Sequence, residues 1–582
     1  MISVASGLLL RPGGCPPSSS ARGSLLLARA AAVSISKSRC TPAIATAVPV
    51  PSSTAVRWHS TVEEAAPSLA SSPGAASAVA PKLVKVPSLP LLGSSIPAHT
   101  GAPPHAQSQI FEYWPEMRRR FGDFYSMGMP GLGVGTHGTV HVLTCPHEMM
   151  KVIRHEGKFP SGIIQSQWAL IKYLKEDDSL LVQGEDNGFF GRGAEWKRLR
   201  TFFQTDMLSP QAAAGYLPGV IKAAELASRG APLCVNDLNQ FLENSAFDMF
   251  CTVMLGELTD VANPETPSDP LNLEFCRSAC RGLSLNNRLN IDPYQVMMGK
   301  LGIKTELYNE VVKENRKTFK IAHDKIRCFV ERGKKGDLNE FENQSYAAHA
   351  MRRQAEEGSN ISMEEMLTLT AVGLTAAVDT TSGMIAWGIL HLALNPEVQE
   401  RLHLELTNAI KNVGRDGRLS ASVFKRSVTP YLYSFLRESH RLTPNAPVNI
   451  FKMVSKDIDI HGLSVPSGAM FLFDSFSLGK DPIFVDDPEE FKPERWSPKA
   501  VQERKGTPRE VLDHAFLKEP FSQGARRCPG SRVASNETLA LLAQLVLDYK
   551  ISVPNVDSLK DVPYDLRGTI CPTLPELEFV AR

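Results

Sequence analysis

A single cysteine near the C-terminus lies in the most distinctive pattern of the chain. The segment Phe521–Gly530 has the form F-x-x-G-x-R-x-C-x-G, which places Arg526 two residues before Cys528. Gly524 and Gly530, on either side of the cysteine, allow close backbone approach and unusual dihedral angles, so backbone N–H groups can point at the sulfur and favour its thiolate. The apolar stretch from Val533 to Val546 predicts a buried helix that begins beside the cysteine. A lone cysteine is usually a small core residue, but this setting suits a thiolate on haem iron, with the arginine on a propionate.

A second group of polar residues interrupts an apolar segment that is predicted to be helical over about residues 362–392. Asp379, Thr380 and Thr381 follow one another inside this segment. Burying an acid and a hydroxyl costs free energy unless both find partners. Two interpretations are open. A threonine could bond back to its own helix with the aspartate at a helix end, or the acid–alcohol pair could deliver protons as a general acid does.

Two further pairs of residues stand at helical spacing. Glu438 and Arg441 are three residues apart and meet on one helix face, and Pro444 ends that helix soon after. Such a pair could also be a surface ion pair of small value. Trp196 and Arg200 are four residues apart, so the indole N–H and the guanidinium can bind one anion between them. The alternative for this second pair is an amphipathic helix with an anchored tryptophan.

The composition of the chain is that of an ordinary globular protein. Its 582 residues are 43% apolar and 21% charged, with a net charge of +1, so no global electrostatic argument points to nucleic acid or to an acidic substrate. The ten cysteines lack tight CxxC pairs, which predicts reduced thiols rather than a disulfide framework.

The N-terminal segment differs in kind from the rest. Residues 1–62 contain no Asp or Glu, carry several arginines and are rich in Ser, Ala and Pro, which is typical of an organelle transit peptide. The surroundings of Arg57 resemble a mitochondrial processing site, while a plastid address and a disordered tail remain the alternatives. Residues 63–84 are predicted to be a flexible linker. The chain has no run of 18 apolar residues, so the sequence predicts no membrane-spanning anchor.

The elements that must position these side chains are mainly helical. Residues 211 to 411 show helical patterns with few strands. Short strand-like runs occur at 140–143, 448–451 and 470–473, the last two on either side of a turn at Gly462. The sequence therefore predicts a mainly α architecture with a small β-sheet region, an α+β fold class.

Taken together and in this order, the motifs over residues 85–582 resemble the cytochrome P-450 family. The resemblance implies one haem-thiolate monooxygenase domain, with heme b (iron protoporphyrin IX) between a long distal helix and the helix that follows the cysteine loop. It adds Phe491–Trp496, similar to the family's P-E-R-W segment. The roles that it implies are metal ligation by Cys528; proton delivery by Asp379 and Thr380; haem binding by Trp196, Arg200, Lys452, Phe521, Arg526 and Gly530; and a structural brace of the cysteine loop by Glu438, Arg441 and Arg495.

Within that family, further strings resemble the mitochondrial group. They are Glu156–Pro160, Met207–Pro210, and Arg532, Ala534 and Glu537 after the cysteine. The chain departs from the family at three positions. Ala377 stands where a glycine is usual, Lys452 where an arginine is common, and Ser531 where the mitochondrial group usually has arginine.

The resemblance implies insertion of one atom of O2 into a lipophilic substrate, a sterol or another lipid. Electrons would come from a separate ferredoxin-type donor, for which basic residues at Arg437, Arg527 and Arg532 provide a surface. Peripheral membrane contact is compatible with such a substrate. Two other functions remain open: a haem-thiolate isomerase or dehydratase that acts on peroxides without O2, and a non-enzymatic haem sensor or carrier.

Overall fold

The structure is a computed structural model, and it groups Pro81–Arg582 into one compact unit, separate from Met1–Ala80. The residues that it describes are 83–86, 110–128, 139–158, 160, 191–266, 268–446, 448–566 and 569–582. The predicted transit peptide lies outside these residues, as does nearly all of the predicted linker.

Helices make up most of the compact unit. Many begin at a residue whose side chain accepts a backbone N–H of the first turn, such as Ser209, Thr305 and Ser362. The α-helices among the described residues are α1 (Ile110–Phe121), α2 (Pro146–Glu156), α3 (Gly193–Met207), α4 (Pro210–Gly230), α5 (Leu238–Met254), α6 (Pro270–Ile291), α7 (Pro293–Lys300), α8 (Glu306–Lys334), α9 (Glu340–Asn343), α10 (Tyr346–Ala355), α11 (Met363–Leu394), α12 (Pro396–Val413), α13 (Pro430–Leu442), α14 (Pro498–Glu503), α15 (Ala515–Lys518) and α16 (Ser531–Asp548).

Helix α11 is the central element. It starts with a capping box, in which Ser362 and Glu365 each satisfy the other's backbone N–H, and it runs for 32 residues. It packs against α5, α8 and α16. Within the described part of the chain, α11 alone is long and apolar enough to cross a membrane, but 78% of that apolar window is buried inside the protein. We therefore assign α11 as the core helix of this fold.

A small sheet covers one side of the helices. Its strands are β1 (Val84–Lys85), β2 (Phe124–Gly128), β3 (Thr139–Leu143), β4 (Val448–Met453) and β7 (Met470–Asp474), in the spatial order β1-β2-β3-β7-β4. Strand β3 runs parallel to β7, and β4 runs antiparallel to it. The sheet thus joins two regions that are more than 300 residues apart in the sequence.

Three two-stranded ribbons complete the β-structure of the described residues. They are β5 (Ile458–Ile460) with β6 (Leu463–Val465), β8 (Tyr549–Ser552) with β11 (Glu578–Ala581), and β9 (Tyr564–Leu566) with β10 (Ile570–Pro572). The turn between β5 and β6 has positive φ at His461 and at Gly462, as a tight hairpin requires. The prediction of a mainly α fold with a small β region is confirmed.

Candidate haem site

The cysteine loop is a tight turn that leads directly into α16. The backbone N–H of Cys528 donates to the carbonyl of Phe521 at 2.9 Å, and that of Arg527 donates to the carbonyl of Gly524 at 3.0 Å. Gly524 has φ +81°, and a Cβ there would lie 2.5 Å from Ile153 Cγ2, so this position requires glycine. Gly530 differs from the expectation, because its φ is −84° and an added Cβ would meet no described residue. Positive φ and close packing therefore explain why glycine stands at position 524, but not why it stands at position 530.

What Gly530 contributes is its backbone N–H, which forms a hydrogen bond with Cys528. Helix α16 begins directly after Gly530 without a side-chain cap, so its first N–H groups are open to an external acceptor. Burial raises the pKa of the Cys528 thiol, while the bond from Gly530 and the charges of Arg200 and Arg527 act in the opposite direction. A metal cation bound to the sulfur would lower the pKa of the Cys528 thiol and favour the thiolate, because it stabilises the anion directly.

Three basic side chains gather beside the cysteine loop from three separate elements: Arg200 from α3, Lys452 from β4 and Arg526 from the loop itself. Burial, together with the charges of Arg526 and Arg200, lowers the pKa of Lys452 to about 8. Burial also lowers the pKa of Arg526 to about 10, and Arg200 adds to this shift. The pKa of Arg200 is lowered to about 10 for the same reason, burial. The charge of Arg200 thus lowers the pKa of Arg526, and both arginines lower that of Lys452, so an anion beside them would stabilise their charged forms.

Arg526 lies flat against Trp196, with its guanidinium carbon 4.0 Å from the ring centroid. Its Nη2 donates to the carbonyls of Pro160 and Gly191 at 3.2 and 2.5 Å, and its buried Nε has no hydrogen-bond partner. Of the described acidic residues, none forms an ion pair with Arg526 or with Lys452. Buried cations without carboxylates, beside a cysteine at a helix start, fit a haem, whose propionates supply the missing anions.

Arg200 performs a task that its spacing from Trp196 does not reveal. Its Nε donates to Gln204 Oε1 at 3.0 Å, and its Nη2 donates to the backbone carbonyl of Arg527, next to the cysteine. Arg200 thus ties α3 to the cysteine loop. Trp196 and Arg526 form the stacked pair, and Arg200 stands on the sulfur side.

The structure brings Glu438, Arg441 and Arg495 together in a buried network. Arg441 donates to both carboxylate oxygens of Glu438, Nε to Oε2 at 3.0 Å and Nη2 to Oε1 at 2.8 Å. Arg495 Nε donates to Oε1 at 3.1 Å, and Trp496 Nε1 donates to Oε2 at 2.9 Å. The backbone N–H of Lys492 adds a fifth bond, at 2.9 Å to Oε1. The Glu438 side chain is fully buried, so this carboxylate organises the whole 487–496 segment.

The network reaches the cysteine loop through intermediates. The Trp496 ring lies between the guanidinium groups of Arg437 and Arg504, at 5.9 and 5.2 Å. Arg504 pairs with Asp513, which also accepts Lys518 of α15, and the cysteine loop follows α15. A second path starts at His440, beside Arg441 in sequence, whose ring meets the ring of Phe521 edge-on at 6.2 Å.

Helix α11 carries the polar pair Asp379 and Thr380, and the structure agrees with only part of the back-bonding interpretation. The Thr380 hydroxyl lies 3.2 Å from the carbonyls of both Ala376 and Ala377, so it bonds back to its own helix. Asp379 is in the middle of the helix, not at an end, and its Oδ2 accepts the hydroxyl of Thr569 at 3.2 Å. Thr380 and Ala376 are partly open on a helix that is otherwise largely buried, so this face lines a space.

Several polar residues near these sites carry little or no signal in the sequence. Thr381 donates to Glu537 Oε2 on α16 at 3.3 Å, and burial raises the pKa of Glu537 to about 8. Its Oε1 has no hydrogen-bond partner. In the sequence, Glu537 was indicated only by its position nine residues after the cysteine, which resembles the mitochondrial group. Asn445 and Thr569 had none, because their partners are 65 and 190 residues away.

The basic surface beside the cysteine loop is also larger than the sequence indicates. Arg426 is exposed, and its charge lowers the pKa of both Arg437 and Lys518, for which burial is the larger cause. Arg527 pairs with Glu519, and Arg532 donates to the carbonyl of Leu208 at 2.8 Å. The expected residues Arg527 and Arg532 are thus partly engaged within the protein, and Arg426 and Arg532 are exposed.

A cavity of about 1140 Å³ lies elsewhere in the compact unit. Its walls come from the C-terminal end of α11, the 489–494 segment and residues 557–565, and they contain none of the expected site residues. We do not assign it to the chemistry of the cysteine.

The fold and the cysteine site are those of a haem-thiolate oxidoreductase. The family model described as "Cytochrome P450" matches residues 85–576, and the chain belongs to this family. It is 27% identical to sterol 26-hydroxylase, mitochondrial, of Rattus norvegicus over 74% of this chain and 77% of the relative. It is 26% identical to human 25-hydroxyvitamin D-1 alpha hydroxylase, mitochondrial, over 72% and 78% of the two chains. A plant relative, 2-hydroxyisoflavanone synthase of Glycine max, is 29% identical over 39% and 43%.

Family membership confirms the predicted class of reaction and the predicted cofactor. The protein is a monooxygenase that uses heme b held through a cysteine thiolate, and it acts on a lipophilic substrate.

Proposed function

We propose that this protein hydroxylates a sterol or a related lipid in the mitochondrion, with electrons from a ferredoxin-type donor and with Cys528 as the haem ligand. The observation that supports the assignment of the site is the meeting of a cysteine at a helix start with two basic side chains, Lys452 and Arg526, that form no ion pair with a described acidic residue. When bound there, the haem activates O2 and transfers one oxygen atom to the substrate.

The residues of the chain have three tasks in this proposal. Arg200, Lys452 and Arg526 hold the propionates, and Trp196 supports Arg526 by stacking. Lys452 neutralises a carboxylate as a point charge, without the two-pronged geometry of an arginine. Phe521 and Gly530 shape the loop and direct an N–H to the sulfur. The Glu438–Arg441–Arg495 network keeps the loop in place from behind.

Proton delivery is assigned to Asp379 and Thr380. Thr380 is on the face of α11 that lines the open space, with Asp379 buried next to it, and the Thr380 hydroxyl shares its donor between two helix carbonyls. A hydroxyl held in this way can turn to an external acceptor at small cost, because its hydrogen bond to a helix carbonyl is exchanged for a hydrogen bond to that acceptor. The neighbouring carboxyl group of Asp379 can replace the proton that Thr380 passes on.

The electron donor is inferred from charge. Arg426, Arg437 and Lys518 lie near one another on the side of the cysteine loop, close enough that the charge of Arg426 lowers the pKa of the other two. Exposed positive charge of this kind favours encounter with an acidic protein. A ferredoxin-type donor is acidic and carries one electron at a time, as the reaction requires.

The sterol or lipid substrate and the mitochondrial location are inferred from the relatives. The printed names of the rat and human relatives include a sterol, a vitamin D compound and the word mitochondrial. The acid-free residues 1–62 agree with import into an organelle. We also propose peripheral membrane contact through an exposed apolar patch at and after α7, formed by Tyr294, Met297, Leu301 and Ile303.

The first experiment is the spectrum of the reduced protein with CO. We expect a Soret band at the position typical of thiolate ligation for the wild type and its loss for Cys528→Ser. Cys571→Ser, a change at a cysteine outside the loop, is the control and should keep the band. A thiolate band that persists in Cys528→Ser would show that another residue is the ligand.

The second experiment is turnover with a purified mitochondrial ferredoxin system and a panel of sterols. The expected result is consumption of O2 with formation of a hydroxylated product, and an increase of peroxide at the expense of product for Thr380→Ala. Turnover of a lipid peroxide without O2 or donor would identify an isomerase instead. Reversible haem or ligand binding without any product would identify a sensor or carrier.

A further inference from the structure

Helix α11 is held at the proposed proton-delivery site by a closed ring of hydrogen bonds. Thr569 Oγ1 donates to Asp379 Oδ2 at 3.2 Å. The next residue, Ile570, donates its backbone N–H to the carbonyl of Asn445 at 2.9 Å. Asn445 Nδ2 then donates to the backbone carbonyl of Thr380 at 2.6 Å. The ring therefore joins three distant segments at the two residues to which proton delivery is assigned.

A glycine on α11 makes this close approach feasible. Gly383 lies one helical turn after Asp379, and a Cβ there would be 3.2 Å from Asn445 Nδ2 and 3.3 Å from Thr569 Oγ1. Both polar groups thus pack directly on the helix backbone. Asn445 is 7% exposed, and its Oδ1 is buried without a hydrogen-bond partner. The orientation of the Asn445 side-chain amide is therefore explained by the hydrogen bond from Nδ2 to the Thr380 carbonyl, because Oδ1 forms no hydrogen bond in this orientation.

The ring is anchored in the β-structure that follows. Ile570 begins β10, which pairs with β9, and its carbonyl accepts Trp387 Nε1 of α11 at 3.0 Å. Position 570 is therefore bound to α11 on one side of the ring and to Asn445 on the other. This arrangement fixes Thr569, its neighbour, against Asp379.

We propose that Thr569 and Asn445 are positioning residues for proton delivery: Thr569 fixes the carboxyl group of Asp379, and Asn445 fixes the helix backbone at Thr380. The proposal rests on the proposed function of the Asp379–Thr380 pair. The ring makes the C-terminal β9–β10 segment part of the machinery, although it follows the cysteine loop by about 40 residues. Neither residue needs to touch the haem or the substrate, because each acts through α11.

The test compares Thr569→Val, Thr569→Ser and Asn445→Ala in the holoenzyme. Valine keeps the shape of threonine and removes the donor, while serine keeps the donor. We expect Thr569→Val and Asn445→Ala to lower the ratio of product to peroxide by about tenfold, because proton delivery depends on geometry. Thr569→Ser should restore the ratio. The thiolate CO spectrum and the substrate-induced spin shift should stay as in the wild type.

A second readout does not depend on turnover. Loss of one hydrogen bond should increase amide hydrogen exchange of residues 380–384 by roughly threefold to tenfold in Thr569→Val and in Asn445→Ala. Thr318→Val is the control, because among the described residues this buried hydroxyl bonds to the carbonyl of Glu314 on α8 alone, at 2.9 Å. It should leave the exchange of α11 and the product ratio unchanged.

The outcomes separate this proposal from the proposed function. If the wild type fails to hydroxylate any lipid, the proposed function fails, and the exchange experiment still decides whether the ring holds α11. If the exchange of residues 380–384 is the same in all variants, the positioning role is wrong. It is also wrong if Thr569→Val keeps the wild-type product ratio, or if Thr569→Ser behaves as Thr569→Val does.

Discussion

Replacing Glu438 by glutamine should destabilise the protein severely, and the structure gives the magnitude. The carboxylate accepts five hydrogen bonds, three of them from two arginines, and its side chain is fully buried. Glutamine has nearly the same shape but no charge, and its amide NH2 faces donors instead of accepting from them. Breaking a buried ion pair by removal of one partner costs about 3–5 kcal/mol, because the other charge stays buried and uncompensated.

That cost is about a fifth or more of the stability of a typical domain, which is about 5–15 kcal/mol. The assay is urea unfolding of the holoprotein, followed by far-ultraviolet circular dichroism and by the Soret band. We expect the Soret band to be lost at a lower urea concentration than the helical signal, because the network supports the cysteine loop. Arg495→Met, which removes an outer member that is 11% exposed, should have a smaller effect in the same direction.

The matched control is Glu503→Gln. Glu503 pairs with Lys499 at 3.8 Å on the surface of α14, and the side chains are 65% and 85% exposed. Pairs of this kind contribute less than about 0.5 kcal/mol. Should Glu438→Gln unfold at the same urea concentration as Glu503→Gln, the inferred role of the buried network would be refuted.

Three further predictions concern charge. First, the haem affinity of the wild type should fall about fivefold between pH 8 and pH 9, because the haem-free pKa of Lys452 is about 8 and bound propionates favour the protonated amine. Haem titration of Lys452→Met should show weak binding without this pH dependence, and a parallel fall in both proteins would contradict the assignment. Second, burial raises the pKa of Glu537 from 4.5 to about 8, so its protonated form stabilises the fold, and this stability is lost as the pH rises from 4.5 through 8. Unfolding of Glu537→Gln should depend less on pH and should gain roughly 1–3 kcal/mol at pH 7, whereas unchanged pH curves would argue against a buried acid. Third, Arg426→Glu should slow ferredoxin-driven turnover most at low salt while peroxide-driven turnover is unchanged; equal loss in both assays would indicate damage to the site instead of the docking surface.

Local patterns in the sequence predicted a large part of this molecule. The spacing of Glu438 and Arg441 predicted a shared helix face, and the structure has them paired at 2.8 Å. The helical period over residues 211–411 and the turn at Gly462 predicted the helices and a hairpin. These features depend on neighbours within a few residues, so the order of residue types is sufficient to define them.

Other features required the tertiary structure. No pattern in the sequence connects Thr569 with Asp379 or Asn445 with Thr380, and the exposed Arg426 lies outside every motif. At Gly530 only the expected unusual dihedral angle was wrong, since its φ is ordinary; the expected hydrogen bond from a backbone N–H to the sulfur is present. The dihedral angle that a glycine adopts depends on how its loop packs, which the residue type does not specify.

The family, the reaction class and the cofactor follow from the order of the residues, because the cysteine loop and its companion motifs carry their chemistry in short segments. The side chains that surround those motifs are known from the folded chain alone. Arg200, Lys452 and Arg526 come from elements that are up to 326 residues apart in the numbering, and their mutual repulsion exists only after the chain has folded. No local pattern in the sequence predicts that these three side chains lie close together, because their proximity results from the packing of α3, β4 and the cysteine loop.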